Sequence, residues 1–180
     1  MGKLWINILG FQVAWFACVL GAANGLPWLG PLATLPVAAL HLFQAKAKRA
    51  ELLLMLFTVT VGSVFDQSLL TAGLIHYPQT TMPEYLLPLW MLALWLGFST
   101  TLNVSLRWMR QHVAIASLFG LIGGPLAYIS GQKLGAMQLL EFNTLMIVLA
   151  IGWALIVPAL LLISTKLDGY AETNDGAAHV

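Results

Sequence analysis

Of 180 residues, 59% are hydrophobic and only 8% are charged, and the mean hydropathy is +0.85. Soluble domains are about a quarter charged, so this chain lacks the polar surface that a secreted domain or an ordinary cytosolic enzyme must present to water. A net charge of +1 leaves no basic face for nucleic acid, and one cysteine, Cys18, permits neither an internal disulfide nor a cysteine metal cluster. The composition points to an all-α integral membrane bundle, whose apolar runs amount to about six spans of ~20 residues.

In chain order, the first span is expected over 4–23, closed by a tight Asn24-Gly25 turn. The second covers 26–44 and carries Pro27, Pro31 and Pro36, and the third covers 51–75 with Asp66 inside it. The segment 76–85, with Pro78 and Pro83, reads as an irregular loop. The fourth span is 86–106. The fifth, 113–130, is interrupted by Gly123-Gly124-Pro125, where a missing donor and a steric clash predict a kink. The sixth is 139–163. Together these form one transmembrane domain over 1–164, and the polar, Gly/Ala-rich stretch 165–180 reads as a disordered cytoplasmic tail.

Charge placement tests this partition. With the N-terminus inside, Lys3, Lys46, Lys48, Arg49, Arg107, Arg110 and Lys166 lie on the cytoplasmic side and only Lys133 lies outside, an asymmetry that predicts an N-in, C-in topology. Gly21-Ala22-Ala23 has the small residues of a leader cleavage site, but Asn7 and Gln12 interrupt the apolar stretch, so the first span is read as retained. Gly30-Pro31-Leu32-Ala33 recurs as Gly124-Pro125-Leu126-Ala127, a faint echo of the inverted repeats found in transporters. Trp5, Trp28, Trp90 and Trp108 fall near span ends, as an aromatic belt would place them.

Ionisable groups inside a span are costly and need a partner or a wet cavity. Asp66 is read as the one such residue well inside a span, about 22 Å from the cytoplasmic end by helical rise. Tyr128 of the fifth span lies at the same depth with Lys133 just beyond, so Asp66 is expected to meet one of them. Asp66 and Tyr128 are the catalytic candidates, Asp66 being either a proton-carrying or substrate-orienting carboxylate or one end of an interhelical hydrogen bond that only fixes packing. Ser99, Asn103 and Arg107 follow at i, i+4 and i+8, a polar stripe on one helix face. With Lys133 they are the binding candidates, Arg107 either holding a lipid phosphate or extending to the headgroups. Gly123, Gly124 and Pro125 form a candidate hinge. Metal sites and cofactors find no support: His41, His76, His112 and His179 are scattered, and no nucleotide or nucleophile motif is present.

Two runs carry a resemblance. Trp90 through Trp95 and Phe98 to Thr101-Leu-Asn103-Val-Ser105-Leu-Arg107-Trp108, and Gly123-Gly-Pro-Leu-Ala-Tyr128 through Ser130-Gly131, Lys133 and Gly135-Ala136, together with Asp66, resemble a bacterial membrane-protein family known as domain-of-unknown-function family 2878. The resemblance extends over 4–162. It implies an inner-membrane protein whose genes neighbour those of cyclopropane-type fatty-acid methyltransferases and flavin oxidases, and hence a role in fatty-acid modification or stress response. It implies no catalytic residue. The expected function is an accessory protein or an intramembrane lipid enzyme, with membrane lipids and lipid-modifying proteins as partners. The alternative is a small solute or proton-coupled carrier.

Overall fold

The computed structural model describes residues 2–78 and 82–171. Six helices dominate the fold: α1 (Gly2–Ala23), α2 (Leu29–Gln44), α3 (Lys48–Thr71), α4 (Leu89–Leu102), α5 (Val113–Lys133) and α6 (Phe142–Lys166). Of these, α1, α3, α5 and α6 are long and apolar enough to cross a membrane, while α2 and α4 are shorter apolar helices of 16 and 14 residues. Large hydrophobic side chains stand on their outer faces, among them Leu9, Val13, Leu32, Val64, Ile147 and Leu155, each more than half exposed. Apolar surface on that scale is unfavourable in water and natural against hydrocarbon.

Helix α4 is the axis of the bundle. It is apolar and buried on nearly every side, with α1, α2 and α3 packed around it and the α5–α6 hairpin closing the remaining face. A helix that is apolar all round belongs inside. It is shorter than the 86–106 expected from the sequence. Pro88 sits at its N-cap in extended conformation, and Asn103 caps its far end. Near that end Ser99, Thr100 and Thr101 donate their hydroxyls to Leu96, Gly97 and Phe98 carbonyls three residues back, a local bonding that competes with helix continuation. Beyond Asn103 the chain turns and forms a short 3-10 helix, Arg107–Gln111.

At one end of the bundle α3 and α5 both stop at left-handed glycines, Gly73 (φ 68°) and Gly135 (φ 90°). Leu74 N–H and Ala136 N–H then reach back five residues to Leu69 and Gly131 carbonyls, which satisfies helix-end acceptors as a Schellman motif does. The chain leaves these caps as β1 (Ile75–His76) and β2 (Gln138–Leu139), which pair antiparallel. The segment read as irregular thus begins with an ordered ribbon; residues 79–81 lie outside the described set. Trp90, expected in an interfacial belt, is fully buried under this region, edge-on to Tyr77, whereas Trp5, Trp28 and Trp108 are exposed.

The opposite end gathers the start of α1, the end of α6 and Lys3, Lys46, Lys48, Arg49, Arg107, Arg110 and Lys166, since Asn7 near the start of α1 bonds Thr100 and Gly169 bonds Glu51. Here too the structure departs from the sequence reading. Helix α6 continues to Lys166, and residues 167–171 fold back over the α2–α3 turn, where Gly169 O accepts from Lys46 N–H and Ala47 N–H at 2.8 and 3.1 Å. The first part of the expected tail is therefore ordered; residues 172–180 lie outside the described set.

Candidate functional site

The first polar centre forms around Asp66. One turn earlier on α3, Gly62 lets the Trp95 ring of α4 come so close that a Cβ there would lie 1.9 Å from a ring atom. The indole is held against α3 and its Nε1–H donates to Asp66 Oδ2 at 2.6 Å. On the other side, α5 approaches α6 through Gly120 and Gly124, which meet the Trp153 backbone and ring. That approach brings Tyr128 to Asp66, and its hydroxyl donates to Oδ1. Trp95 and Trp153 stack with centroids 4.9 Å apart and planes 14° from parallel, tying α4 to α6 beside the carboxyl. Asp66 is wholly buried. Among the described residues no Lys, Arg or His forms an ion pair with it. In the loop after β1, burial and the nearby Asp66 carboxylate hold the Tyr77 phenol well above the usual tyrosine range.

Asp66 and Tyr128 border a cavity of about 340 Å³ between α1, α4 and α5. Its walls are largely aromatic, with Trp15 and Phe16 from α1, Phe98 from α4 and Phe119 from α5. Phe16 and Phe119 are 48% and 45% exposed, and Gln12 beside them is exposed, so the cavity opens sideways onto the apolar outer face between α1 and α5. Gly123 also lines it, and a Cβ there would meet nothing within 4 Å.

The second polar centre lies at the basic end. Glu51, in the first turn of α3, is fully buried. It pairs with His41 Nε2 at 2.8 Å and accepts from Gly169 N–H at 2.9 Å and from the Asn103 amide. The Asn103 amide also donates to Leu167 O at 2.9 Å, while its carbonyl accepts from Arg110. Arg110 extends the network to Ser164 at 3.0 Å and to Asp168 at 2.8 Å. Tyr170 donates to His41 O at 2.7 Å, and burial together with the Glu51 charge raises its phenol above the ordinary range. Buried charges that are each paired and hydrogen-bonded in this way hold elements in register.

A family model for proteins of unknown function, DUF2878, matches residues 4–159. The chain belongs to this family. No curated protein and no solved structure matches it.

In this DUF2878 protein the residues singled out in the sequence fall into separate places. Asp66 and Tyr128 meet; Lys133 is exposed at the end of α5 and is not among the hydrogen-bond partners of Asp66. The stripe Ser99, Asn103, Arg107 is not one helix face, because α4 ends between the first and second of them. Ser99 spends its hydroxyl on its own helix, Asn103 belongs to the Glu51 network, and Arg107 is a partly exposed ion pair with Asp168 at 2.8 Å. Of the candidate hinge, Gly123 faces the cavity, Gly124 packs on Trp153, and Pro125 lies inside a continuous α5. Sequence reasoning missed Trp95 as the second partner of Asp66; the signal was Gly62, one turn away on the same face. It also missed Glu51, assigned to a span boundary, with His41, Arg110, Asp168 and Tyr170. Among the described residues no group of three or more His, Cys, Asp or Glu side chains has metal-binding geometry.

Proposed function

We propose that this protein is a multi-pass protein of the bacterial inner membrane that crosses it six times with both ends in the cytoplasm, and that it takes a lipid-derived molecule from the bilayer into the cavity beside Asp66. The observation that carries this reading is the cavity itself. It is aromatic-walled, open toward the apolar outer face, and ends at a buried carboxyl with a hydrogen-bonded phenol. Mostly apolar cavities with a few convergent polar groups are the usual form of ligand sites. Seven of the eight Lys and Arg residues gathered at one end support the orientation.

Two roles use such a site. As an accessory protein in membrane fatty-acid modification or stress response, it would hold a lipid for enzymes docked on its basic end. As an intramembrane lipid enzyme, it would use Asp66 and Tyr128 to move a proton to or from the bound molecule, with Trp95 holding the carboxyl in place. A kink at Pro125 would let the Gly123 wall of the cavity open and close.

The test is the membrane fatty-acid profile of a strain lacking the gene, complemented by wild type, Asp66→Asn or Gly123→Leu. Restoration by wild type alone supports the enzyme, and restoration by Asp66→Asn but not Gly123→Leu supports lipid holding. An unchanged profile in the deletion strain refutes the lipid reading. The second reading, a proton-coupled carrier, is favoured by a wholly buried carboxyl without a cationic partner among the described residues. It predicts solute flux into proteoliposomes that follows an imposed proton gradient and disappears in Asp66→Asn.

A further inference from the structure

We infer that the polar end of the molecule bound in the Asp66 cavity is a cation, an amine or quaternary ammonium group on an apolar body; the inference rests on the reading of this cavity as a ligand site open to the bilayer. Charge accounting leads there. Both oxygens of Asp66 accept a hydrogen bond from the protein, one from Trp95 and one from Tyr128. Each oxygen keeps a free lone pair, and the carboxyl borders the cavity. No Lys, Arg or His side chain among the described residues pairs with it, whereas the His41 ring lies against Glu51 and Asp168 is paired with Arg107 and Arg110. A buried carboxylate without a counter-charge is the costliest group a membrane-embedded bundle can hold.

The surroundings suit a positive charge. Trp15, Phe16, Phe98, Phe119, Tyr128 and Trp153 dominate the walls, and aromatic rings attract cations through their negative faces, most strongly where water is excluded. An anionic head, such as a fatty-acid carboxylate, would instead face Asp66 with like charge. The volume of about 340 Å³ admits a small ammonium head with part of its apolar body, and the remainder can leave through the side opening at Phe16 and Phe119.

The experiment is equilibrium dialysis of the full-length protein in maltoside micelles against empty micelles, using two probes of the same shape. One is 4-phenylbutyltrimethylammonium; the other is its uncharged isostere, with carbon in place of nitrogen. Wild type is expected to bind the ammonium at least tenfold more tightly than the isostere. Asp66→Asn should bind both probes alike, and Gly123→Leu, which fills the cavity without touching Asp66, should bind neither. Protection of Cys18, which is fully buried, from a thiol-reactive dye verifies the fold of each variant. If Asp66→Asn is unfolded, the comparison of the two probes on wild type still decides. Equal binding of both probes to wild type, lost in Gly123→Leu, overturns the cationic ligand and leaves the cavity reading standing. Absence of binding by either probe to folded wild type overturns both.

Discussion

Replacing Glu51 measures what holds the basic end together. Its carboxylate satisfies three groups at once: the His41 ring at 2.8 Å, Gly169 N–H at 2.9 Å and the Asn103 amide. Glu51→Ala leaves His41 Nε2 and Gly169 N–H without their partner, while Asn103 keeps Leu167 O. Removing one member of a buried charged pair costs about 3–5 kcal/mol. Glu51→Gln keeps one carbonyl acceptor for Gly169 and Asn103 and loses the charge-assisted bond to His41, a cost of about 1.5–3 kcal/mol. With about 2–4 °C per kcal/mol for a chain of this size, the unfolding midpoint should fall by roughly 10 °C for Glu51→Ala and by about half that for Glu51→Gln. Cys18 provides the assay, because it is the only cysteine and is fully buried. A fluorogenic thiol reagent reports its exposure as protein in maltoside micelles is heated at one fixed rate. A shift below about 3 °C for Glu51→Ala would mean, on the same conversion, that the network does not hold this end and that the assignment of its energy is wrong.

Three further outcomes are expected. Trp95→Phe keeps a ring against Gly62 and Trp153 but removes the donor to Asp66; the same thermal assay should show a loss of about 1.5–3 kcal/mol, the value of a hydrogen bond to a charged group. Gly120→Val drives a Cβ to 2.1 Å from the Trp153 carbonyl oxygen and should cost at least about 1–3 kcal/mol through overpacking, whereas Gly123→Ala, with open space, should be neutral or stabilise by up to ~1 kcal/mol of helix propensity. Because the Tyr170 phenol is raised in the folded state, the unfolded chain loses that proton first, so its contribution to stability is complete below about pH 10, the ordinary tyrosine value, and declines above it. Stability measured from pH 9 to 11 should therefore fall less steeply in Tyr170→Phe than in wild type, and parallel curves would refute the coupling.

Several features of this protein are local and were legible without coordinates. The length and apolarity of the runs dictate helices, because only internal hydrogen bonding satisfies the backbone in hydrocarbon, and six helices form. The two motif runs and Asp66 pointed to the family to which the chain belongs. Counting helical rise put Tyr128 at the depth of Asp66, and the two side chains meet.

Other features depend on partners far away along the chain, and hydropathy carries no record of them. The pattern Ser99, Asn103, Arg107 fits a helix, yet α4 stops at Leu102, where Asn103 is engaged by Glu51, Leu167 and Arg110. Residues 167–171 are polar and Gly-containing, as a tail would be, but Glu51 accepts from Gly169 across 118 positions of sequence. Trp95 reads as core until the gap at Gly62 turns its N–H toward Asp66. By itself, then, the sequence determined the helices, their membrane-like character and the matching levels of Asp66 and Tyr128, because these follow from the solvation and helical rise of each segment. Which side chains close around that carboxyl, where α4 ends and what ties down residues 167–171 were decided only by tertiary structure, because each depends on how closely two distant backbones approach.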